Sequence, residues 1–274
     1  MYISAFKMDG LGNDFVIIDQ RNQNINLSKS QIIKICDRNF IGCDQLILIN
    51  NSTTVDASLE FFNSDGSLSG ACGNGSRCVA DLLSKQNNKK EIVLSTSSGI
   101  LKSNILDNNL VETNIGIPKT NWEEIPLSEN LNTKNLKIKI LDKNNQEHIG
   151  GIAINVGNPH IIFFVKNCFE HDLKVLGPKI ENYNLFPEKT NVIFAQVMDR
   201  NNINVNVWER GAGLTKACGT AACATAVAAF KSRLINNEVD IKFKEGFLNI
   251  KIDKTDNIFM TGPVSKVKKI DFEI

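Results

Sequence analysis

Ala71-Cys72-Gly73-Asn74-Gly75 and Ala217-Cys218-Gly219-Thr220-Ala221 place two cysteines in one local frame, 146 positions apart. The spacing recurs along the chain. Asn13, in Gly12-Asn13-Asp14-Phe15, faces Asn158, in Gly157-Asn158-Pro159-His160, at an offset of 145. Gln45, before Leu46-Ile47-Leu48, faces Asn191, before Val192-Ile193-Phe194, at 146. Asn63 closes Leu59-Glu60-Phe61-Phe62 as Glu209 closes Val205-Asn206-Val207-Trp208, again at 146. The chain therefore reads as a duplicated domain in which each half carries one thiol and three polar residues at matching places. Two mirrored thiols suit chemistry with two opposed faces, such as taking a proton from one side of a carbon and returning one to the other.

The repeat extends into the secondary structure. An apolar helical pattern follows each cysteine: Arg77-Cys78-Val79-Ala80-Asp81-Leu82-Leu83, and Ala221 to Phe230. The second is small and apolar nearly all round, which predicts a buried helix. Three strands then follow in each half. They are Glu91–Leu94, Gly99–Ile105 and Leu110–Asn114 in the first, and Val239–Phe243, Gly246–Ile252 and Asn257–Thr261 in the second. Period-two alternation and β-branched content support all six. The turn-like stretch Gly116-Ile117-Pro118-Lys119-Thr120 marks the division, and the second half ends near Gly262-Pro263. The expected domains are 1–117 plus 263–274, and 118–262. The tail from Val264 reads as one extra strand able to pair with either half.

Composition narrows the function classes. The 274 residues suit two domains, each able to bury a core. A 42% apolar and 22% charged content is that of a soluble globular protein. A net charge of +1 gives no electrostatic reason to expect a nucleic acid or an anionic membrane as partner. No apolar run approaches the roughly 20 residues that span a bilayer. The first ten residues lack a signal peptide's apolar stretch, so the expected location is cytoplasmic. Seven scattered cysteines are not a disulfide framework, and a reducing cytosol would keep them as thiols.

Each key cysteine follows a strand and opens a helix. A thiol at a helix N-terminus feels the positive end of the macrodipole and the unpaired N–H groups, both of which favour thiolate. The small residues Gly73, Gly75, Gly219 and Ala221 let a ligand approach the backbone. A carboxylate held by such N–H groups has its α-carbon within reach of a thiol, and the same donors would stabilise the enolate formed on deprotonation. One thiol and one thiolate then make an acid–base pair. Glu209-Arg210 offers both charges to a zwitterion, with Arg210 suited to bidentate carboxylate binding.

Other readings are weaker. Cys36, Cys43, Cys78, Cys168 and Cys223 read as small buried hydrophobes. Zinc and redox-dithiol sites lack CxxC spacing and a histidine cluster, so no metal is expected. Gly10-Leu11-Gly12 lacks the third glycine of a dinucleotide loop, and Gly211 to Lys216 lacks P-loop spacing. His160 beside Pro159 reads as a structural hydrogen-bonder in a turn. No lysine stands in a Schiff-base setting.

At these residues the chain resembles the diaminopimelate epimerase family, within the cofactor-independent amino-acid racemases, almost end to end. The first-half segments are Gly10-x-Gly12-Asn13-Asp14-Phe15, Gly42-Cys43-Asp44-Gln45, Asn63-x-Asp65-Gly66-Ser67 and Cys72-Gly73-Asn74-Gly75-x-Arg77-Cys78. The second-half segments are Gly157-Asn158-Pro159-His160, Gly177-Pro178 with Glu181, Thr190-Asn191-Val192 and Glu209-Arg210-Gly211-x-Gly213-x-Thr215-x-Ala217-Cys218-Gly219-Thr220. The resemblance implies interconversion of LL- and meso-2,6-diaminopimelate on the route to lysine and peptidoglycan, with no cofactor. Cys72 and Cys218 would be the acid/base thiols. Gly73, Asn74, Gly219 and Thr220 would hold the reacting carboxylate. Asn13, Gln45, Asn63, Asn158, Asn191, Glu209 and Arg210 would line the site, and His160 and Glu209 would bias the thiol pKa values. The implied fold is a mixed α/β pair of pseudo-symmetric domains, each a sheet wrapped around a central helix with the site in the cleft, and homodimers are common in the family. Asp9, Asn182, Ala71 and Ala221 depart from the family pattern without removing a proposed catalytic group. The rivals are a proline racemase, which would leave Glu209-Arg210 without purpose, and a binding or redox-sensing protein on the same scaffold.

Overall fold

The run Phe15-Val16-Ile17-Ile18 is buried at every residue, which an ordinary half-exposed strand does not allow. In the computed structural model, which describes residues 1–23, 25–69, 72–141 and 147–274, the reason is a sheet covered on both faces. Phe15 and Ile17 join one core with Ile47, Phe61, Val79, Leu82 and Leu83. Val16 and Ile18 join another with Ile32, Ile35, Leu46, Leu48 and Phe272. Ala71 lies outside the described residues.

The backbone divides into two units, Met1–Asn114 with Thr261–Ile274, and Ile115–Met260. The first is built from β1 (Tyr2–Gly10), β2 (Asn13–Asp19), α1 (Lys29–Cys36), β3 (Gln45–Asn50), β4 (Ala57–Asn63), β5 (Leu68–Ser69), α2 (Gly73–Asn87), β6 (Glu91–Thr96), β7 (Gly99–Ile105) and β8 (Leu110–Gly116). The second holds β9 (Ile138–Leu141), β10 (Glu147–Gly150), β11 (Ile152–Asn155), β12 (Pro159–Phe164), α3 (Leu173–Glu181), β13 (Asn191–Asp199), β14 (Asn202–Glu209), β15 (Gly213–Leu214), α4 (Gly219–Lys231), β16 (Glu238–Phe243), β17 (Gly246–Ile252) and β18 (Ile258–Pro263). The last strand, β19 (Lys268–Glu273), pairs antiparallel with β1, Tyr2 opposite Glu273.

The internal repeat is a repeat of sheet pairing. In the first unit β2 runs parallel to β3 with Phe15 opposite Gln45, β3 antiparallel to β4, and β4 parallel to β6. In the second, β12 runs parallel to β13 with His160 opposite Asn191, β13 antiparallel to β14, and β14 parallel to β16. Parallel neighbours with helical crossovers mixed with antiparallel hairpins make each half a mixed α/β sheet.

Each sheet curls around one helix. α2 touches β1, β2, β6 and β7, and α4 touches β11, β12, β13, β16 and β17. α4 is buried from Ala221 to Ala229, as its small apolar sequence predicts. α1 and α3 cover the outer faces. α1 starts on a capping box in which Ser28 and Gln31 satisfy each other's backbone donors. Among the described residues no helix is long and apolar enough to cross a membrane.

Candidate functional site

Cys72 and Cys218 are the N-caps of the two central helices, and their backbones nearly superpose in dihedral space. Cys72 has φ −137° and ψ 110°, Cys218 φ −138° and ψ 115°. Neither side chain makes a cap hydrogen bond of the usual kind to its own helix. Ser76 N–H reaches Cys72 O at 2.8 Å and Ala222 N–H reaches Cys218 O at 3.1 Å, which closes the first turn of each helix. The preceding N–H groups, of residues 73–75 and 219–221, have no backbone acceptor within the helix. Each half thus offers one thiol beside a cluster of backbone donors, an arrangement fit to bind an anion next to a proton-transfer group.

The polar residues stand at matching strand ends in each half. In the first unit, Leu11 (φ 62°) and Gly12 (φ 80°) form a tight turn with both central residues left-handed, the geometry of a type I′ hairpin, which delivers Asn13 to the start of β2. Cys72 Sγ donates to Asn13 Oδ1 at 3.7 Å. Gln45 Nε2 donates to Asn63 Oδ1 at 3.0 Å, and Asn63 Nδ2 to Ser67 Oγ at 3.1 Å. Gln45 Oε1 is buried with no hydrogen-bond partner among the described residues. A buried acceptor left open is costly unless a ligand N–H fills it. The Asn74 side chain is buried and its Oδ1 accepts from Arg77 Nη2 at 2.9 Å.

In the second unit Asn158 precedes β12, Asn191 opens β13 and Glu209 closes β14. Asn191 is buried and spends its amide on the backbone: Arg210 N–H donates to Oδ1 at 2.9 Å, and Nδ2 donates to Pro159 O at 2.9 Å. Glu181 braces the same turn, accepting from Trp208 Nε1 at 2.7 Å and from Gly211 N–H at 3.1 Å. The guanidinium of Arg210 is tied to Glu188 O at 2.7 Å. Glu209 and Arg210 therefore project from a turn clamped on both flanks.

The electrostatics separate the groups. Burial pushes the Cys218 thiol well above its usual range, and the Glu209 charge adds to this, against hydrogen bonds from Thr220 and the Ala221 N–H. The Thr220 hydroxyl stands 3.4 Å from Cys218 Sγ. Cys72 is half-buried where Cys218 is buried. Sequence reading set His160 in a turn; it lies instead inside β12, buried, with Nε2 2.7 Å from Asn158 Oδ1. Burial, helped by the Arg210 charge, pushes its pKa down to about 3, so the ring is neutral and acts as a hydrogen-bonding support. Cys78 and Cys168 are buried thiols with raised pKa, Cys168 to about 11, as the packing reading expects.

Two residues of the quoted motifs carry more than sequence reading gave them. Glu181 is the brace just described. Asp44, between Cys43 and Gln45, accepts from Asn13 Nδ2 at 2.9 Å and from Asp14 N–H at 3.1 Å. The signal for Asp44 was its place one residue before the start of β3, which runs parallel to β2 with Gln45 opposite Phe15 and so sets Asp44 beside Asp14, next to Asn13. Glu181 gave no comparable signal, since its partners Trp208 and Gly211 are distant in sequence.

A sheet rolled around a helix, built twice, is a fold the chain shares with solved structures described as epimerases. The chain is similar in fold to a predicted epimerase from Pseudomonas aeruginosa, with TM-score 0.72, 13% identity and 99% of each chain covered. It is likewise similar to a hydroxyproline epimerase from Agrobacterium vitis, with TM-score 0.67, 12% identity, and 100% of this chain and 93% of the other covered. Within this class the particular family follows from sequence. The family profile described as diaminopimelate epimerase matches residues 5–120 and 152–267, and the chain is 68% identical over 274 residues to a Pelagibacter ubique protein named diaminopimelate epimerase, with all of both chains covered. The chain belongs to the diaminopimelate epimerase family.

Proposed function

We propose that this protein interconverts LL- and meso-2,6-diaminopimelate, a step in lysine biosynthesis, by a two-base mechanism without a cofactor. The observation that carries the reading is the pair of cysteine N-caps with matching backbone angles, each beside first-turn N–H groups that have no backbone acceptor within the helix. The helix N–H groups receive the α-carboxylate of the reacting centre. A thiolate takes the α-proton from one face, and the C–H electron pair passes into the carboxylate, whose developing charge those donors stabilise. The second thiol returns a proton to the opposite face, and the configuration inverts. Each turnover leaves the protonation states of the two sulfurs exchanged.

The raised pKa of Cys218 supports Cys218 as the first proton donor, with half-buried Cys72 as the first base. The distal amino-acid centre, which is not altered, meets the polar strand ends. The open acceptor of Gln45 suits its ammonium group, and Arg210 its carboxylate. Asn13, Asn63, Asn158 and Asn191 shape this region. Neutral His160 fixes Asn158, and the Glu209 charge keeps Cys218 protonated. We read the active species as a cytoplasmic homodimer with no nucleic-acid or membrane partner. Light scattering of the purified protein tests the assembly.

Cys72→Ala and Cys218→Ala test the mechanism. Each removes the acid/base group of one face, and each is expected to lower kcat for inversion by about a thousandfold or more. Inversion at near wild-type rate by either variant contradicts the two-thiol reading.

A further inference from the structure

An asparagine side chain can present either its carbonyl oxygen or its amide nitrogen to a neighbour, and the two have opposite effects on a thiol. The carbonyl accepts from S–H and favours the protonated sulfur. The amide N–H donates and favours thiolate. At Asn13 the choice is set by what lies on its other side. Asn13 Nδ2 meets Asp44 Oδ2 at 2.9 Å, and the same oxygen takes the Asp14 N–H at 3.1 Å. A carboxylate only accepts, so the nitrogen of Asn13 must face it, and the oxygen is left facing Cys72 at 3.7 Å.

We propose that Asp44 is a positioning residue for the reaction, fixing the Asn13 amide so that its carbonyl oxygen receives the Cys72 thiol proton. The inference rests on the epimerase reading of the site for its catalytic meaning. The S–H···O bond exists only while Cys72 carries a proton, the state it reaches on taking the substrate α-proton. Asp44 thereby favours proton transfer to sulfur through a residue that stands between them.

The device is itself held in place. Arg38 bridges the two acidic side chains, with Nη1 2.7 Å from Asp14 Oδ2 and Nη2 hydrogen-bonded to Asp44 Oδ1. The two aspartates interlock through the backbone: Asp44 N–H lies 2.9 Å from Asp14 O and 3.1 Å from Asp14 Oδ1. Lys7 Nζ lies 3.6 Å from Asp14 Oδ2 and donates at 2.8 Å to Gly42 O, which tethers the chain just before Cys43. Burial acts to raise the Asp14 pKa, but Arg38 and Lys7 outweigh it and keep the carboxyl below its usual range. The charged groups beside Asn13 are thus Asp14, Asp44, Arg38 and Lys7. Arg77 and Asp9, which bias the Cys78 thiol on the same helix, are untouched by a change at position 44.

The test is the pH dependence of Cys72 alkylation by iodoacetamide in the substrate-free protein, read peptide by peptide by mass spectrometry, with Cys218 as internal reference. In Asp44→Asn the new amide can donate as well as accept, so Asn13 is free to turn its N–H towards sulfur. The pH midpoint of Cys72 alkylation is expected to fall by about half a unit to one unit, with the Cys218 profile unchanged. In an Asn13→Ala background the same Asp44→Asn change is expected to have no further effect on Cys72, because its intermediary is gone. Arg38→Gln, which loosens Asp44 from a half-exposed position, is expected to move Cys72 in the same direction by less, and serves if Asp44→Asn does not fold. Superposed alkylation profiles for wild type and the foldable variants overturn the proposal, and so does an undiminished Asp44→Asn effect without Asn13. Alkylation requires no turnover. A protein inactive on LL-diaminopimelate yet showing these shifts would refute the epimerase reading and leave the positioning role standing.

Discussion

His160 illustrates how burial can reverse the obvious role of a residue. A histidine near a reactive cysteine suggests a general base, but a ring whose pKa is pushed down to about 3 does not take up a proton at neutral pH. The same shift has a stability consequence. The unfolded chain binds a proton at its histidine near pH 6.5 and the native protein refuses it until about pH 3, so native stability falls as pH drops through that window. At pH 4.5 the cost is on the order of 2 kcal/mol relative to neutral pH. Urea unfolding of wild type and His160→Gln at pH 7 and pH 4.5 measures it, and the variant is expected to lose distinctly less stability between the two. Equal losses would place the acid sensitivity elsewhere. At this scale the sequence was legible where residues repeat, as with Asn13 and Asn158. It was opaque where an effect depends on surroundings. Nothing in Cys36 and Cys43 as letters says that their sulfurs lie 3.5 Å apart in the core.

At the scale of elements, the cysteine-capped helices depend on close approach to their sheets. A Cβ on Gly75 would lie 2.7 Å from Ile47 Cδ1, 3.1 Å from Phe61 and 3.2 Å from Phe15, with all three side chains buried in the core. Gly75→Ala is expected to destabilise the fold by about 1–3 kcal/mol and to push the first turn of α2 off the sheet. Because that turn carries Cys72, kcat is expected to fall about tenfold to a hundredfold. Thermal melts and epimerase assays check both, and wild-type values would show that α2 has room the packing denies. Element prediction succeeded where periodicity and packing agree. The apolar pattern Arg77–Leu83 marks the inner part of α2, but the helix runs on through the polar Ser84–Asn87 to a left-handed Asn88 with φ 51°. Ser84 is buried but polar and Lys85–Asn87 face solvent, so hydrophobic patterning could not mark them. α1 was missed although Ser28 and Gln31 spell its capping box, because only eight residues separate a cap from the helix end. α3 was hidden by Pro178 inside its last turn.

For the whole molecule, duplication explains why so much was readable from one sequence. A repeat turns each residue into a prediction about its counterpart, and the pairs Gln45 with Asn191 and Phe15 with His160 occupy equivalent registers in the two units. The repeat also exposes where the halves differ. Asn63 corresponds to Glu209, so the first half carries an amide where the second carries the acid that raises the Cys218 pKa, a difference of the kind an acid–base pair with split protonation states requires. A pair of acid/base thiols predicts a definite isotopic outcome. LL-diaminopimelate is incubated in D2O with the reduced enzyme and no added cofactor, and the α-proton is followed by NMR alongside the isomer. The central claim predicts that meso product forms with deuterium at the inverted carbon. Meso product that retains the original α-proton, or no exchange at all in the folded and reduced protein, would contradict it.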